Sequence, residues 1–242
     1  MIKRHSVFYQ GSYQKVTPAN SNLQIDVLMK WYVVGYDSHR GKGCPAYLKG
    51  DLNHSWEWNK YDPDPYKYSI SNDYVFQSKH GFLDFDFWDG GPLVSEKFVE
   101  ICKRFGVEFR LVPVRMIQSG GEEAKKKYFY MLFSGRYEIL DYEVSDLKFD
   151  TDLRTGAVRY HKYSPCTPFV YSVYKAVIDE SKISGRHIFK CLDFSRDTVC
   201  SEVFKAECES SQLNGIRFIE INDCYREIGN GDTDRPELET TV

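Results

Sequence analysis

Three stretches of the 242-residue chain carry side chains that could do chemistry. The first is Asp37-Ser38-His39-Arg40-Gly41-Lys42-Gly43-Cys44-Pro45. Cations beside a thiol favour the thiolate, so Cys44 with His39 could form a reactive centre in an anion-binding loop. The same residues also make an ordinary exposed turn, because no second His or acid stands at a fixed spacing to act as base. The second stretch holds Asp84, Asp86 and Asp89. Alternation puts Asp84 and Asp86 on one side of a strand, where together with Asp89 they could hold a divalent ion. The competing reading makes them the solvated side of a half-buried strand. The third is residues 51–69, DLNHSWEWNKYDPDPYKYS, where Trp56, Trp58, Tyr61, Tyr66 and Tyr68 interleave with Glu57, Asp62 and Asp64. Trp and Tyr give large contact area at low entropy cost, which suits a recognition loop. An alternating strand followed by a turn at Pro63 and Pro65 would use the same residues structurally.

Established catalytic patterns are missing. The six histidines form no H-E-x-x-H and no metal-ligand spacing, and the seven cysteines include no C-x-x-C. There is no G-x-S-x-G, no Walker-type loop and no G-x-G-x-x-G. The expectation is a protein that is not an enzyme, with no catalytic residue, metal or cofactor. An enzyme without a recognisable motif, acting on a nucleotide or sugar, and a small-ligand or carbohydrate-binding module are the alternatives.

Two similar stretches must position these residues. In residues 83–114, Leu83, Phe85 and Phe87 alternate with acids, which predicts a strand, and Asp89-Gly90-Gly91-Pro92 predicts a turn. Ser95 stands at an N-cap position with Glu96 in the first turn, and Val94 and Val99 at the positions of a hydrophobic staple. Phe98, Ile101, Cys102 and Phe105 line one helical face, Gly106 fits a C′ residue, and Val107, Phe109 and Leu111 alternate as a returning strand. Residues 188–221 repeat the plan: Ser201-Glu202 for Ser95-Glu96, Phe204 and Cys208 for Phe98 and Cys102, Gly215 for Gly106. An internal duplication, or two uses of one plan, would give this. Either way the fold class is α+β, with mixed, mostly antiparallel sheets, short helices and two similar strand-helix-strand units.

A strand, a Ser-Glu helix start, a short amphipathic helix and G-[VI]-x-F entering a strand resemble a family of bacterial immunity proteins. These are encoded beside polymorphic toxins delivered by contact-dependent or type VI secretion. The resemblance covers residues 83–221 and is strongest at 92–114, 137–145 and 201–221. In the middle piece, Ile139-Leu140-Asp141-Tyr142-Glu143-Val144-Ser145 looks like the family's strand ending in Asp-x-x-x-Ser. The resemblance implies a partner, a cognate toxin or effector protein, and no catalytic residues. Partner binding is then expected at Trp56, Trp58, Tyr61, Asp62, Asp64 and Tyr66; if the toxin is basic, acids and aromatic rings suit it.

Composition sets the remaining bounds. Aromatic residues reach 16%, while the net charge of −3 disfavours generic nucleic-acid binding. An odd cysteine count, with Cys102 and Cys208 on apolar helix faces, argues for a reducing compartment. No signal peptide or 18-residue apolar window is present, so a cytoplasmic protein without a membrane span is expected. Residues 1–80 read as an N-terminal strand and loop region, with a strand at 7–9 and a short helix running into a strand over 25–36. Residues 81–228 read as the α+β domain, including a hairpin of 128–133 with 137–142, a strand over 157–163 and a strand or short helix over 169–178. Residues 229–242 read as an acidic disordered tail.

Overall fold

A computed structural model describes residues 29–59, 62–89, 92–194 and 197–223. The strand expected at 7–9, the start of the 25–36 element and the acidic tail lie outside the described residues. The chain opens with β1 (Trp31–Tyr36), β2 (Gly50–Leu52) and β3 (Tyr74–Ser78). A hairpin of β4 (Phe87–Trp88) and β5 (Leu93–Ser95) runs directly into helix α1 (Glu96–Arg104), followed by β6 (Phe109–Ile117) and β7 (Tyr128–Phe133). Next come β8 (Asp146–Phe149), β9 (Tyr160–His161), β10 (Ser164–Pro168) and β11 (Val170–Lys175). A second hairpin, β12 (Ile188–Lys190) and β13 (Thr198–Ser201), leads into α2 (Glu202–Ser210) and β14 (Ile216–Glu220).

Two main sheets result. One has the order β2-β3-β6-β7-β5-β4 and is antiparallel except for the β3–β6 pair; the other, β12-β13-β1-β14, is wholly antiparallel. The helices lie together in a core lined by Phe87, Val94 and Met131 from the first sheet and Tyr32, Val34 and Cys200 from the second. Phe98 of α1 and Phe204 of α2 meet edge to face at 6.0 Å. Each is fully buried, and truncating either to Ala is worth about 3–5 kcal/mol. A second core of Trp31, Val33, Phe189 and Val199 backs the smaller sheet, and a third of Tyr74, Phe85, Val112 and Tyr130 backs the larger.

The helix starts follow from side-chain chemistry. Ser95 caps α1 by accepting from Phe98 N at 3.3 Å, and Ser201 caps α2 by accepting from Phe204 N at 3.3 Å. Glu96 N donates to Lys127 O and Glu202 N to Lys30 O, the residues immediately before the strands β7 and β1 that flank the two hairpins. Each of those strands lies between its hairpin and the strand after the helix. Gly106 ends α1 at φ +64°, where its amide donates to Lys103 O and a Cβ would be strained.

Several expected elements differ. β1 lies centrally and is buried on both faces, so its apolar run is the mark of an interior strand; residues 29–30 before it are not helical. That placement also puts part of the stretch before residue 81 inside a sheet with β13 and β14. Residues 83–86 are irregular, and the strand begins only at Phe87. No hairpin joins 128–133 to 137–142, because both edges of β7 are taken by β5 and β6. Tyr137 and Leu140 make single bridges to Cys191 and Ile178 instead. The Asp141–Ser145 motif is a turn: Asp141 Oδ1 accepts from Glu143 N and Val144 N, and Ser145 Oγ exchanges hydrogen bonds with Val177 N and O. The strand expected over 157–163 shrinks to β9, and the strand or short helix expected over 169–178 is the strand β11.

Candidate functional site

The aromatic stretch connects β2 to β3 and is clamped at both ends. Asn53 behaves as a surrogate strand residue: its amide nitrogen donates to Asp73 O at 3.0 Å and its oxygen accepts from Val75 N at 2.9 Å. Beyond it, Trp56 and Trp58 fold back over the larger sheet. Their rings lie 4.7 Å apart, Trp56 sits 4.7 Å from Tyr74 and 5.0 Å from Tyr130, and Trp58 is 4.6 Å from Tyr130. Glu57 between them accepts from Ser71 N at 2.6 Å, Ser71 Oγ at 3.0 Å and Tyr74 Oη at 3.2 Å. Those hydrogen bonds, led by the Ser71 amide, hold its carboxyl below the usual range.

Two aspartate turns shape the second half. Asp62 accepts from Asp64 N at 3.1 Å, and Asp64 from Tyr66 N at 2.9 Å. The other oxygen of Asp62 meets Lys67 Nζ at 2.7 Å and Tyr68 Oη at 3.1 Å, and the Lys67 contact leads in holding this carboxyl low. Arg110 of β6 donates to Pro65 O and Tyr68 O at 3.0 and 2.7 Å, fixing the loop to the sheet, and its guanidinium lies 5.9 Å from the Tyr66 ring. Tyr66 is tethered by its own hydroxyl to Phe109 O at 3.2 Å, yet 66% of its surface is exposed. Trp56 as a residue is 37% exposed. The six expected binding residues therefore divide. Trp56, Asp64 and Tyr66 are presented to solvent, Trp58 and Asp62 are committed to holding the loop, and Tyr61 lies outside the described residues.

The other chemical candidates dissolve on inspection. Cys44 is buried, its thiol lies 3.5 Å from Asp84 O, and burial pushes its pKa up, the reverse of an activated thiolate. His39 projects outward on a turn whose Asp37 accepts from His39 N and Arg40 Nε. Asp84 and Asp86 share a cation, but it is Lys126, at 2.7 and 2.9 Å. Nor is Asp86 on a wet face: it is 1% exposed. Its carboxylate accepts from Ser95 Oγ at 2.5 Å and Asn214 N at 2.6 Å, while its backbone pairs with Asn214 O and Ser95 N. Asp86 thus ties the cap of α1 to the loop after α2. Among the described residues no group of three or more His, Cys, Asp or Glu side chains is placed to hold a metal, and no helix is long and apolar enough to cross a membrane.

A second buried acid escaped the sequence reading. Asp193 accepts from Ile139 N, Leu140 N and Tyr142 Oη at 2.6, 2.9 and 2.5 Å. Burial pushes its carboxyl up while these donors pull it down. Tyr142 also reaches Glu138, which accepts from Thr167 Oγ1 at 3.0 Å. One signal was available: Asp193 stands between the apolar pair Cys191-Leu192 and Phe194, where a buried acid needs hydrogen-bond donors.

The clamped aromatic loop thus stands on a sheet-rich α+β frame. A family model of immunity proteins matches residues 38–223. The chain belongs to the Immunity protein family (Imm11). The match begins well before residue 83 and takes in the whole aromatic loop. No curated protein sequence matches the chain.

Proposed function

We propose that this protein neutralises a cognate toxin by binding it one to one in the cytoplasm of the cell that makes it, as protection against toxins delivered by contact-dependent or type VI secretion. The mechanism is occlusion, without catalysis or a cofactor. A preformed surface covers the toxin's active site or substrate groove, burying about 1,200–2,000 Å² in total. Trp56 and Tyr66 are the anchors, Asp64 contributes charge, and Trp58 and Asp62 keep the anchors in place. One observation carries this reading within an immunity family: the exposed rings of Trp56 and Tyr66 sit on a backbone fixed by Asn53, Glu57, Asp62 and Arg110. Little ordering entropy is then lost on binding. The two units capped by Ser95 and Ser201 are read here as copies of one plan, supported by their paired cap and strand hydrogen bonds.

The test is binding of the toxin encoded beside the gene, in a catalytically disabled form. Trp56→Ala with Tyr66→Ala should weaken the complex by about 100-fold or more while leaving the far-UV spectrum unchanged. A folded double variant that binds and protects as the parent does would remove the loop from the mechanism.

A further inference from the structure

Residues 146–175 form an arm outside the two main sheets. β8 pairs with β11 and β9 with β10 in two short ribbons, and Asp150 N–Phe169 O and Arg159 N–Asp150 O hydrogen bonds join them. The inner side of the arm is structural. Val173 is buried in the core behind the smaller sheet with Leu147 and Val170 against it, and Thr167 is hydrogen-bonded to Glu138. The outer side carries unspent apolar surface: Tyr171 is 69% exposed, Tyr174 61%, and Tyr160 and the tip residue Leu153 also face solvent. Lys148 Nζ stands 5.0 Å from the Tyr171 ring and Lys162 Nζ 5.4 Å from that of Tyr163, so cations and rings are held together. The arm bears five cations against three acids. Arg159 lies between two of those acids, Asp150 and Asp152, at 3.6 and 3.8 Å. The arm as a whole is consequently positive on a chain whose net charge is −3. It is also continuous with the aromatic loop, since Asn59 Nδ2 reaches Tyr163 Oη at 3.5 Å.

We infer that the outer face of this arm is a second contact surface for the toxin, engaging an acidic patch beside the part held by Trp56 and Tyr66. The inference rests on the neutralisation reading above. Exposed tyrosines are side chains that interface cores favour, while the lysines beside them suit the polar rim. Lysines at the margin add speed of association more than affinity. Toxin recognition then has two chemically distinct parts, an aromatic loop with one acid and a tyrosine-rich basic arm.

The experiment uses the full chain and the catalytically disabled toxin encoded beside its gene. Tyr171→Ala with Tyr174→Ala should weaken binding by about tenfold or more with no change in melting temperature, because neither ring packs in a core. Lys148→Glu with Lys162→Glu should slow association by about tenfold at low salt, and the difference should shrink at about 0.5 M salt. If the parent binds and both arm variants bind equally well, the arm is refuted and neutralisation stands. If the parent itself does not bind, the neutralisation reading fails and takes the arm with it. Two other results would overturn the inference: lysine-dependent binding of a single-stranded oligonucleotide with unchanged toxin affinity, or a dimer in solution that Tyr171→Ala with Tyr174→Ala abolishes.

Discussion

Removing the carboxylate of Asp86 should destabilise this protein more than removing any other acid of the loop it stands on. Two charge-assisted hydrogen bonds converge on it, from Ser95 Oγ and Asn214 N, and Lys126 lies 2.9 Å away. In Asp86→Ala both donors lose a buried acceptor, at about 1.5–3 kcal/mol each, so a total near 3–5 kcal/mol is expected. Asp86→Asn keeps the shape and one acceptor oxygen. If that oxygen faces Asn214 and Lys126, the amide nitrogen faces Ser95 Oγ, which already accepts from Phe98 N. The serine hydroxyl proton is then the main loss, and about 1–2 kcal/mol is expected. Asp84→Ala removes a more exposed partner of the same lysine and should cost less than about 1 kcal/mol. Urea titration with tryptophan fluorescence and far-UV circular dichroism would measure all three midpoints. An Asp86→Ala variant within about 1 kcal/mol of the parent, or an Asp86→Asn variant as damaged as it, would refute the argument that acceptor geometry at this point joins the two capped helices.

Burial pushes the Lys190 ammonium down to about 8, with Arg136 adding to the effect and Asp197 and Asp89 opposing it. A depressed folded pKa means that stability is gained as pH rises from about 8 toward the unfolded value; Lys190→Met should therefore exceed the parent by about 1–3 kcal/mol at pH 7, the gap closing by about pH 10 in paired thermal melts. Gly215→Ala places a Cβ 3.0 Å from Cys44 Sγ and Phe85 Cβ at φ +69° and should cost about 2 kcal/mol or more, whereas Gly106→Ala, at φ +64° with nothing near its Cβ, should cost about 1 kcal/mol in the same denaturation assay. In the native state iodoacetamide at neutral pH should label exposed Cys166 and spare Cys44, as read by peptide mass spectrometry; rapid labelling of Cys44 would contradict its burial.

Local chemistry made much of the α+β frame legible. Ser95 and Ser201 were identifiable as caps because a hydroxyl three residues before an amide either accepts from it or does not, and distant chain has little say. Phe98 and Phe204 were identifiable as inward because the apolar period of a helix has one interior. Strands were harder. Residues 137–142 have the composition of a hairpin partner for β7, but a ladder needs a vacant edge, and whether β7 has one depends on β5 and β6. β1 reads as an undivided apolar run since it has no wet side, and nothing within those six residues announces that β13 and β14 will enclose it.

The candidate site shows the same division at the scale of single side chains. Alternation correctly placed Asp84 and Asp86 away from the Phe85 core, yet period alone does not say what fills the other side. At Asp84 it is partly water; at Asp86 it is Asn214, supplied from 128 positions along the chain. Within the aromatic loop the acids interleaved with the rings suggested that both would face a partner. Glu57 and Asp62 instead spend their oxygens on Ser71, Tyr74, Lys67 and Tyr68. Asp62 finds an amide donor two residues on, at Asp64, and becomes a turn, while Glu57 takes its donors from across the loop, at Ser71 and Tyr74. Rings have no such outlet, so those that the fold does not bury stay available. That asymmetry explains why Trp56 and Tyr66 remain presented while most of the nearby charge is consumed, and why the contact surface proposed above rests on its rings more than on its charge.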